Sequence, residues 1–475
     1  MKRILNNTLI VLGLVLISTS CDLVEVDKVV DPNNPSSAAV LNNASQGELQ
    51  DLVVGLESIH RIYNNASSDW WALTGTMSRE LYYINTSDPT FAIDWLQLPV
   101  PSRTQDAEEN SNFFVDASGY ESPYGAIRHA NLLIESLDNT TSINETQKNG
   151  YYGFANTIKA YQFQMPLMHQ FENGIRTNVT FSEPLNPGGF KSYDQALQDI
   201  RDILDQGASQ LQNAGSSFNF ELTDGFEGFN SPSTMLQLNR AIEARFAVYA
   251  EDWQGALDAL DVSFLNLDPG QGEEGLMEGP AHIFDGGVDQ NGTPQFNPYF
   301  FVPDADQNLL IVPSPDLIAE AENGDLRIDR KFALRSSPAT TPDISNLSAD
   351  YQDARYGSAT SSIPFIRNEE LILIYAEANI QLGGATNLNN AVDAINIIRE
   401  TWGLDPYSGS VDEASLIDEM LVQRRYSLWG EGHRWIDMRR YDRLDQIDTS
   451  IDGGRVPTQI ARPQGEIDWE DFAGN

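Results

Sequence analysis

The sequence predicts a mainly α protein, a stack of helical hairpins carrying long inserted loops and little β structure. Three observations predict it. Tyr151, Phe154, Ile158, Tyr161, Met165 and Met168 recur at spacings of three and four, as one face of a helix requires. Extended runs of alternating apolar and polar residues are scarce. Gly, Pro and Asn gather between the helical stretches, where turns are made. With 475 residues, of which 41% are hydrophobic, the chain is long enough to bury a large core.

Each element can be justified in turn. Ile127, Ala130, Ile134 and Leu137 form a second apolar stripe just before the first. Pro166 is expected to kink or end the helix that holds it, because proline removes one backbone donor. The stretch Ala247-Val248-Tyr249-Ala250-Glu251-Asp252-Trp253-Gln254-Gly255-Ala256-Leu257 resembles the turn inside a tetratricopeptide repeat. Ser192 to Leu197 repeats its second half, and Tyr375 to Gly383, followed by Ala391-Val392, gives a third copy. The copies lack a strict 34-residue period. Hairpins of this kind bury one face poorly alone and must stack. Between them lie residues 69–123, 213–235 and 265–365. Loops of that length are usually functional or hold short elements of their own.

Charge narrows the function. Lys and Arg total 29 against 69 Asp and Glu, a formal net of -40. Such a surface repels phosphate backbones, so no nucleic-acid partner is expected. A single cysteine, Cys21, leaves no disulfide framework. The five histidines form no HExxH motif, and neither a metal nor a cofactor is expected. Asp304-Ala305-Asp306-Gln307-Asn308 begins like a calcium loop. Leu309 stands where that loop needs Gly and Pro315 where it needs Glu, so the pattern fails.

The N-terminus reads as an address. Lys2 and Arg3 precede the apolar run Leu9–Ile17, then come Ser18, Thr19, Ser20 and Cys21. This is the order of a secretory signal. The cysteine after small residues resembles a bacterial lipobox, with Ser18 in place of the usual Leu. Residues 1–20 are therefore expected to be a signal peptide, and Cys21 the site of lipidation. Residues 21–43, acidic and then rich in Pro and Asn, are expected to be a tether. Acylated in this way, the body would be moored to a membrane by its lipid anchor. The body divides at the sequence level into an N-terminal helical region, 44–235, and a C-terminal region, 236–475, with the large insertion 265–365.

The C-terminal third carries a family resemblance. Pro364-Phe365-Ile366-Arg367 leads into a helix ending in Tyr375-Ala376-Glu377-Ala378. Later comes Gln423-Arg424-Arg425-Tyr426-Ser427-Leu428-Trp429-Gly430-Glu431-Gly432-His433-Arg434-Trp435-Ile436-Asp437-Met438-Arg439-Arg440. This resembles the SusD/RagB family, which usually has Glu at the places of Gln423 and, often, Ser427. Arg128-His129-Ala130-Asn131 and Asp31-Pro32 agree with the same pattern. The resemblance implies a SusD-like fold and an outer-membrane lipoprotein exposed at the cell surface, without catalysis. It further implies capture of a nutrient, most simply an oligosaccharide, for a TonB-dependent, SusC-like transporter. Two alternatives are a surface glycoside hydrolase and a transporter lid without ligand affinity of its own.

Candidate site residues follow. Sugar recognition needs flat aromatic faces and nearby planar polar groups. Arg79, Tyr82, Tyr83 and Trp95 supply both in the first long loop, and Tyr299 is a candidate for an opposite wall. Each has packing as its plain alternative. Glu431, Arg434, Asp437 and Arg439 are expected to form a structural ion network, with Glu431 and Arg434 paired along one helix.

Overall fold

The computed structural model describes residues 37–64, 70–109, 117–183, 187–287 and 295–473. The signal segment, Cys21 and most of the tether lie outside the described residues. A short helix, α1 (Ser37–Asn43), already buries Val40. Part of the stretch read as tether, 37–43, is therefore helical.

Helices follow in pairs: α2 (Gln46–His60), α3 (Trp70–Met77), α4 (Thr90–Trp95), α5 (Ser122–Asn139), α6 (Glu145–Gln170), α7 (Tyr193–Gln212), α8 (Pro232–Tyr249) and α9 (Trp253–Leu260). After them come α10 (Gly272–Leu276), α11 (Pro315–Ala319), α12 (Leu326–Lys331), α13 (Asn368–Leu382), α14 (Gly384–Thr401), α15 (Glu413–Ser427), α16 (Arg434–Arg440) and α17 (Gln464–Ala473). Their starts are written locally. Ser45 with Glu48, Asn144 with Gln147, and Ser192 with Gln195 each close a reciprocal capping box. Such a cap is worth about 1 kcal/mol. Neighbours in sequence pack as antiparallel pairs, α5 on α6, α6 on α7, α7 on α8, α8 on α9, and α13 on α14. Gly383 and Gly384, at φ 66° and 81°, make the tight turn of the last pair, a conformation open to glycine. The tetratricopeptide-like segments fall on α7, on α8–α9 and on α13–α14. The α8 helix spans residue 235, the position that divides the two regions in the sequence reading.

Pro166 does not end α6, which runs on to Gln170. An interior proline costs about 3 kcal/mol locally. Every residue from Ala160 to Gln170 is buried, and that burial outweighs it. The helix stops at Phe171, whose φ of 43° takes the backbone out of helical geometry.

Strands are few among the described residues. Three two-stranded antiparallel sheets pair β1 (Leu81–Ile84) with β3 (Leu310–Pro313), β2 (Ala281–His282) with β6 (Ile363–Pro364), and β4 (Phe332–Thr341) with β5 (Ile344–Asp353). The long loops are therefore not structureless. Strands β1 and β3 tie the first excursion to the third, and a small core of Tyr82, Ile84, Ile93, Leu310 and Val312 lies beneath them. The main core runs through the hairpin stack, and another fills the space between α13, α14 and α15.

The closing ion network differs from the expected pairing. Glu431 sits in a turn between Gly430 and Gly432, at φ 69° and 82°, and α16 begins only at Arg434. The two residues therefore share no helix. Glu431 meets Arg367 at 2.8 Å instead. Asp437 holds Arg424 at 2.7 Å and Arg440 at 3.1 Å. Arg439 donates to the backbone oxygens of Met168 and Thr458, 3.0 and 2.8 Å away, and its guanidinium lies over Phe171 and Trp435. Arg434 forms no ion pair among the described residues. Burial lowers it to about 10, with Arg425 adding to the effect and Glu80 opposing it.

Candidate ligand-binding cleft

The five residues singled out for ligand contact are all buried: Arg79, Tyr82, Tyr83, Trp95 and Tyr299. They form three groups. Arg79 grips Asp452 with two bonds, at 2.9 and 3.2 Å, and donates to the carbonyl oxygen of Leu96 at 2.8 Å. Tyr82 donates to the same Asp452 at 3.1 Å. Tyr83 and Trp95 face each other at 5.2 Å, with Phe91 completing the cluster. Tyr299 is apart from both groups, stacked on Trp71 at 5.9 Å with the Arg355 guanidinium 5.0 Å from its ring. These side chains spend their faces on packing. The expectation that they stand open to a ligand is corrected on that ground: an aromatic face covered by protein cannot also cover a sugar. The consecutive aromatics of the loop explain the error, since a run such as Asn297-Pro298-Tyr299-Phe300-Phe301 must bury some members to fold.

An open cleft of about 520 Å³ is lined by none of these five residues. Its walls come from the C-terminal end of α2 (Val54, Glu57, Ser58, His60, Arg61), the turn at Thr223, Asp224 and Phe226, strand β2 with its continuation to Asp285, and Thr360 with Ser362. Ligand sites commonly occupy about 300–1,000 Å³. Helix α2 ends at His60, so Arg61 leaves the helical face and points its guanidinium to the carbonyl oxygen of Ile283 at 2.9 Å, to Gln295, and over the Phe284 ring at 5.8 Å. Phe284 is half-buried, and Phe296 nearby is exposed at 48%. A side chain added at Gly286 would touch both Phe296 and Thr360, which places that exposed ring at the rim.

Beneath the cleft is a buried polar chain. The hydroxyl of Tyr161 donates to the carbonyl oxygen of Phe365 at 3.3 Å. It therefore accepts from Tyr63 at 2.8 Å, and Tyr63 in turn accepts from His282 Nε2 at 2.7 Å. Its donors and acceptors all match in this order. Gln162 donates to His60 Nδ1 at 2.6 Å and to the His60 carbonyl oxygen at 2.8 Å, so the ring proton of His60 belongs on Nε2. Burial lowers His60 to about 3, and burial with the nearby His60 and Arg61 lowers His282 well below its usual range. Both imidazoles are neutral hydrogen-bonding groups at ordinary pH. Glu57 is held by the backbone and hydroxyl of Thr223, and burial raises it.

The rim thus combines two partly open aromatic faces, one guanidinium held in place, exposed carboxylates at Asp224 and Asp285, and hydroxyls at Ser58, Thr360 and Ser362. Such a set can bond polyol hydroxyls as donor and acceptor while a ring covers apolar C–H groups. Sequence reasoning missed Arg61, Phe284 and Phe296. No motif surrounds them, and His60 and His282 drew attention only as metal ligands. Among the described residues no group of three or more His, Cys, Asp or Glu could hold a metal ion.

Comparison with known proteins places the whole architecture. Residues 335–466 match the SusD family. None of the curated proteins matches the chain in sequence. Solved structures match it closely in fold. Surface glycan-binding protein A from Bacteroides thetaiotaomicron superposes with a TM-score of 0.68 at 14% identity, over 91% of this chain and 98% of that one. The same protein in complex with laminarihexaose gives 0.66 at 14%, over 90% and 98%. A SusD superfamily protein from Bacteroides vulgatus gives 0.63 at 16%, over 91% and 98%. The C-terminal segment 335–466 is thus similar to the SusD family, and the chain as a whole shares the fold of these solved structures.

Proposed function

We propose that the protein is a cell-surface lipoprotein that binds an oligosaccharide and delivers it to a TonB-dependent, SusC-like transporter of the outer membrane. The observation that carries the reading is the fold. The same arrangement, matched over nine tenths of the chain, holds laminarihexaose in one of the solved structures. The open cleft supports it chemically, with Arg61, Phe284 and Phe296 at the rim as the ligand contacts. In this reading Arg79, Tyr82, Tyr83, Trp95 and Tyr299 act through packing, fixing the loops that carry them. Cys21, outside the described residues, would carry the acyl chains. In this reading the polar groups of the rim serve contact with the ligand.

Calorimetric titration of the purified chain with a panel of neutral hexasaccharides tests the binding step. Saturable heat from at least one glycan is expected, and a flat response from the whole panel would overturn it. Affinity capture from solubilised outer membranes tests delivery, with co-purification of a large β-barrel receptor as the expected result. Release of shorter sugars from the same glycans by the pure protein would instead favour the hydrolase.

A further inference from the structure

A second groove of about 380 Å³ lies between the start of α5 and the terminal helix α17. It shares no lining residue with the cleft. Tyr120 and Tyr124, rings 4.7 Å apart, form its floor. Trp469 on α17 stands over it half-buried, paired at 5.6 Å with Phe472, which is 74% exposed. The polar wall is built rather than incidental. Arg176, 5% exposed, donates from Nε to Glu466 at 2.9 Å and from Nη1 to the carbonyl oxygen of Gly188 at 2.5 Å, with its guanidinium 4.1 Å from the Phe190 ring. Tyr120 donates to the other Glu466 oxygen at 2.9 Å, and Tyr124 to the Arg176 carbonyl oxygen at 2.7 Å. Glu121 stands exposed at the edge.

From this arrangement we infer a second carbohydrate site, one that takes a neutral pyranose ring against the Trp469 face, with hydroxyls donating to Glu466 and Glu121. The inference rests on the reading that the protein binds glycans. Three features select the ligand. An indole left half-open beside an exposed Phe472 keeps apolar area in water, and a sugar C–H face is a partner that covers it. Glu466 uses one acceptor position per oxygen, leaving lone pairs for hydroxyl donors. Glu121, Glu466 and Glu470 outnumber Arg176 and Arg462, whose charges are already met, so a uronate or another anionic sugar is repelled.

The experiment is titration of the full chain and three variants with maltohexaose, cellohexaose, laminarihexaose and a hexagalacturonate, recording affinity and stoichiometry. Trp469→Ala should lose one of two sites, or weaken binding at least fivefold, while Phe284→Ala in the cleft leaves the groove site intact. Should Trp469→Ala fail to fold, Glu121→Ala carries the test, with about a threefold loss expected. Unchanged binding of a neutral glycan in these variants would overturn the groove and leave the proposed function standing. A Trp469-dependent response to hexagalacturonate alone would overturn the neutral selectivity. Silence from all four sugars would overturn the groove and the proposed function together.

Discussion

Arg245 and Glu370 form a two-pronged ion pair, both contacts 2.6 Å and both side chains buried beneath the hairpin stack. The same guanidinium donates to the carbonyl oxygen of Phe365 at 3.1 Å, where the Tyr63–Tyr161 chain also ends. The floor of the cleft is thus fixed to the scaffold through one arginine. Removing one member strands the other charge in a low-dielectric interior, and such losses cost about 3–5 kcal/mol. Arg245→Met should lower unfolding free energy by that amount in urea titrations. The double variant Arg245→Met with Glu370→Met should recover much of the loss, and no recovery would show that the pair is not the unit.

Glu80 gives a pH dependence of definite sign. Burial raises its carboxyl to about 7, against the opposing bond from the Gly430 backbone N–H and the fields of Arg434 and Arg355. A carboxyl raised above its unfolded value of 4.5 holds its proton more tightly when folded. Its contribution to stability is full below pH 4.5 and falls away as pH rises toward 7. Glu80→Gln removes that loss. The stability of the variant relative to the native chain should therefore improve by up to about 3 kcal/mol between pH 4.5 and 7.5, read from urea midpoints at each pH. An unchanged difference across that range would contradict the assignment.

Gly432 has a φ of 82°, and an added Cβ would stand 2.8 Å from Cδ1 of Trp71. A side chain there meets both backbone strain and an indole with nowhere to go. Gly432→Ala should cost about 1–3 kcal/mol, seen as a lower thermal midpoint. An unaltered midpoint would mean that the turn and Trp71 move freely past each other.

Phe284 and Trp95 should separate binding from packing. Phe284→Ala should weaken glycan binding about tenfold through the cleft, with thermal stability nearly unchanged, because its ring is only half-buried. Trp95→Ala should do the reverse and cost about 3–5 kcal/mol of stability. Its binding per folded molecule should stay close to native. Parallel calorimetry and melting on the two variants decide it, and a swap of the two phenotypes would return the ligand contacts to the first loop.

The helical stack was legible because its signals are local. The stripe from Tyr151 to Met168 repeats every three or four residues, and Ser192 with Gln195 announces a helix start within four. Fold class and hairpin turns follow from such short-range rules. The ligand surface was not legible, because its members meet only after folding: Arg61 reaches Ile283, and Phe296 comes beside Gly286 and Thr360. Nor did the sequence distinguish an aromatic that packs from one that greets solvent. Tyr82 is committed by Asp452, a partner far along the chain with no motif to announce it. Glu431 was misjudged for a local reason that the sequence did contain: glycines on both sides of it break the helix before Arg434.

Asp452 receives both Arg79 and Tyr82, Arg455 reaches back to the Leu96 carbonyl oxygen, and Trp429 Nε1 bonds the Glu80 carbonyl oxygen at 2.8 Å. The last fifty residues therefore seal a region laid down at the beginning of synthesis. Without them, folding of the early part would bury the Arg79 guanidinium without its carboxylate. It would also leave the Glu80 and Leu96 carbonyl oxygens short of donors, so the early part settles only when the final stretch emerges. Contacts this distant along the chain are slow to close. That delay leaves the leading half pliant until the tail locks it.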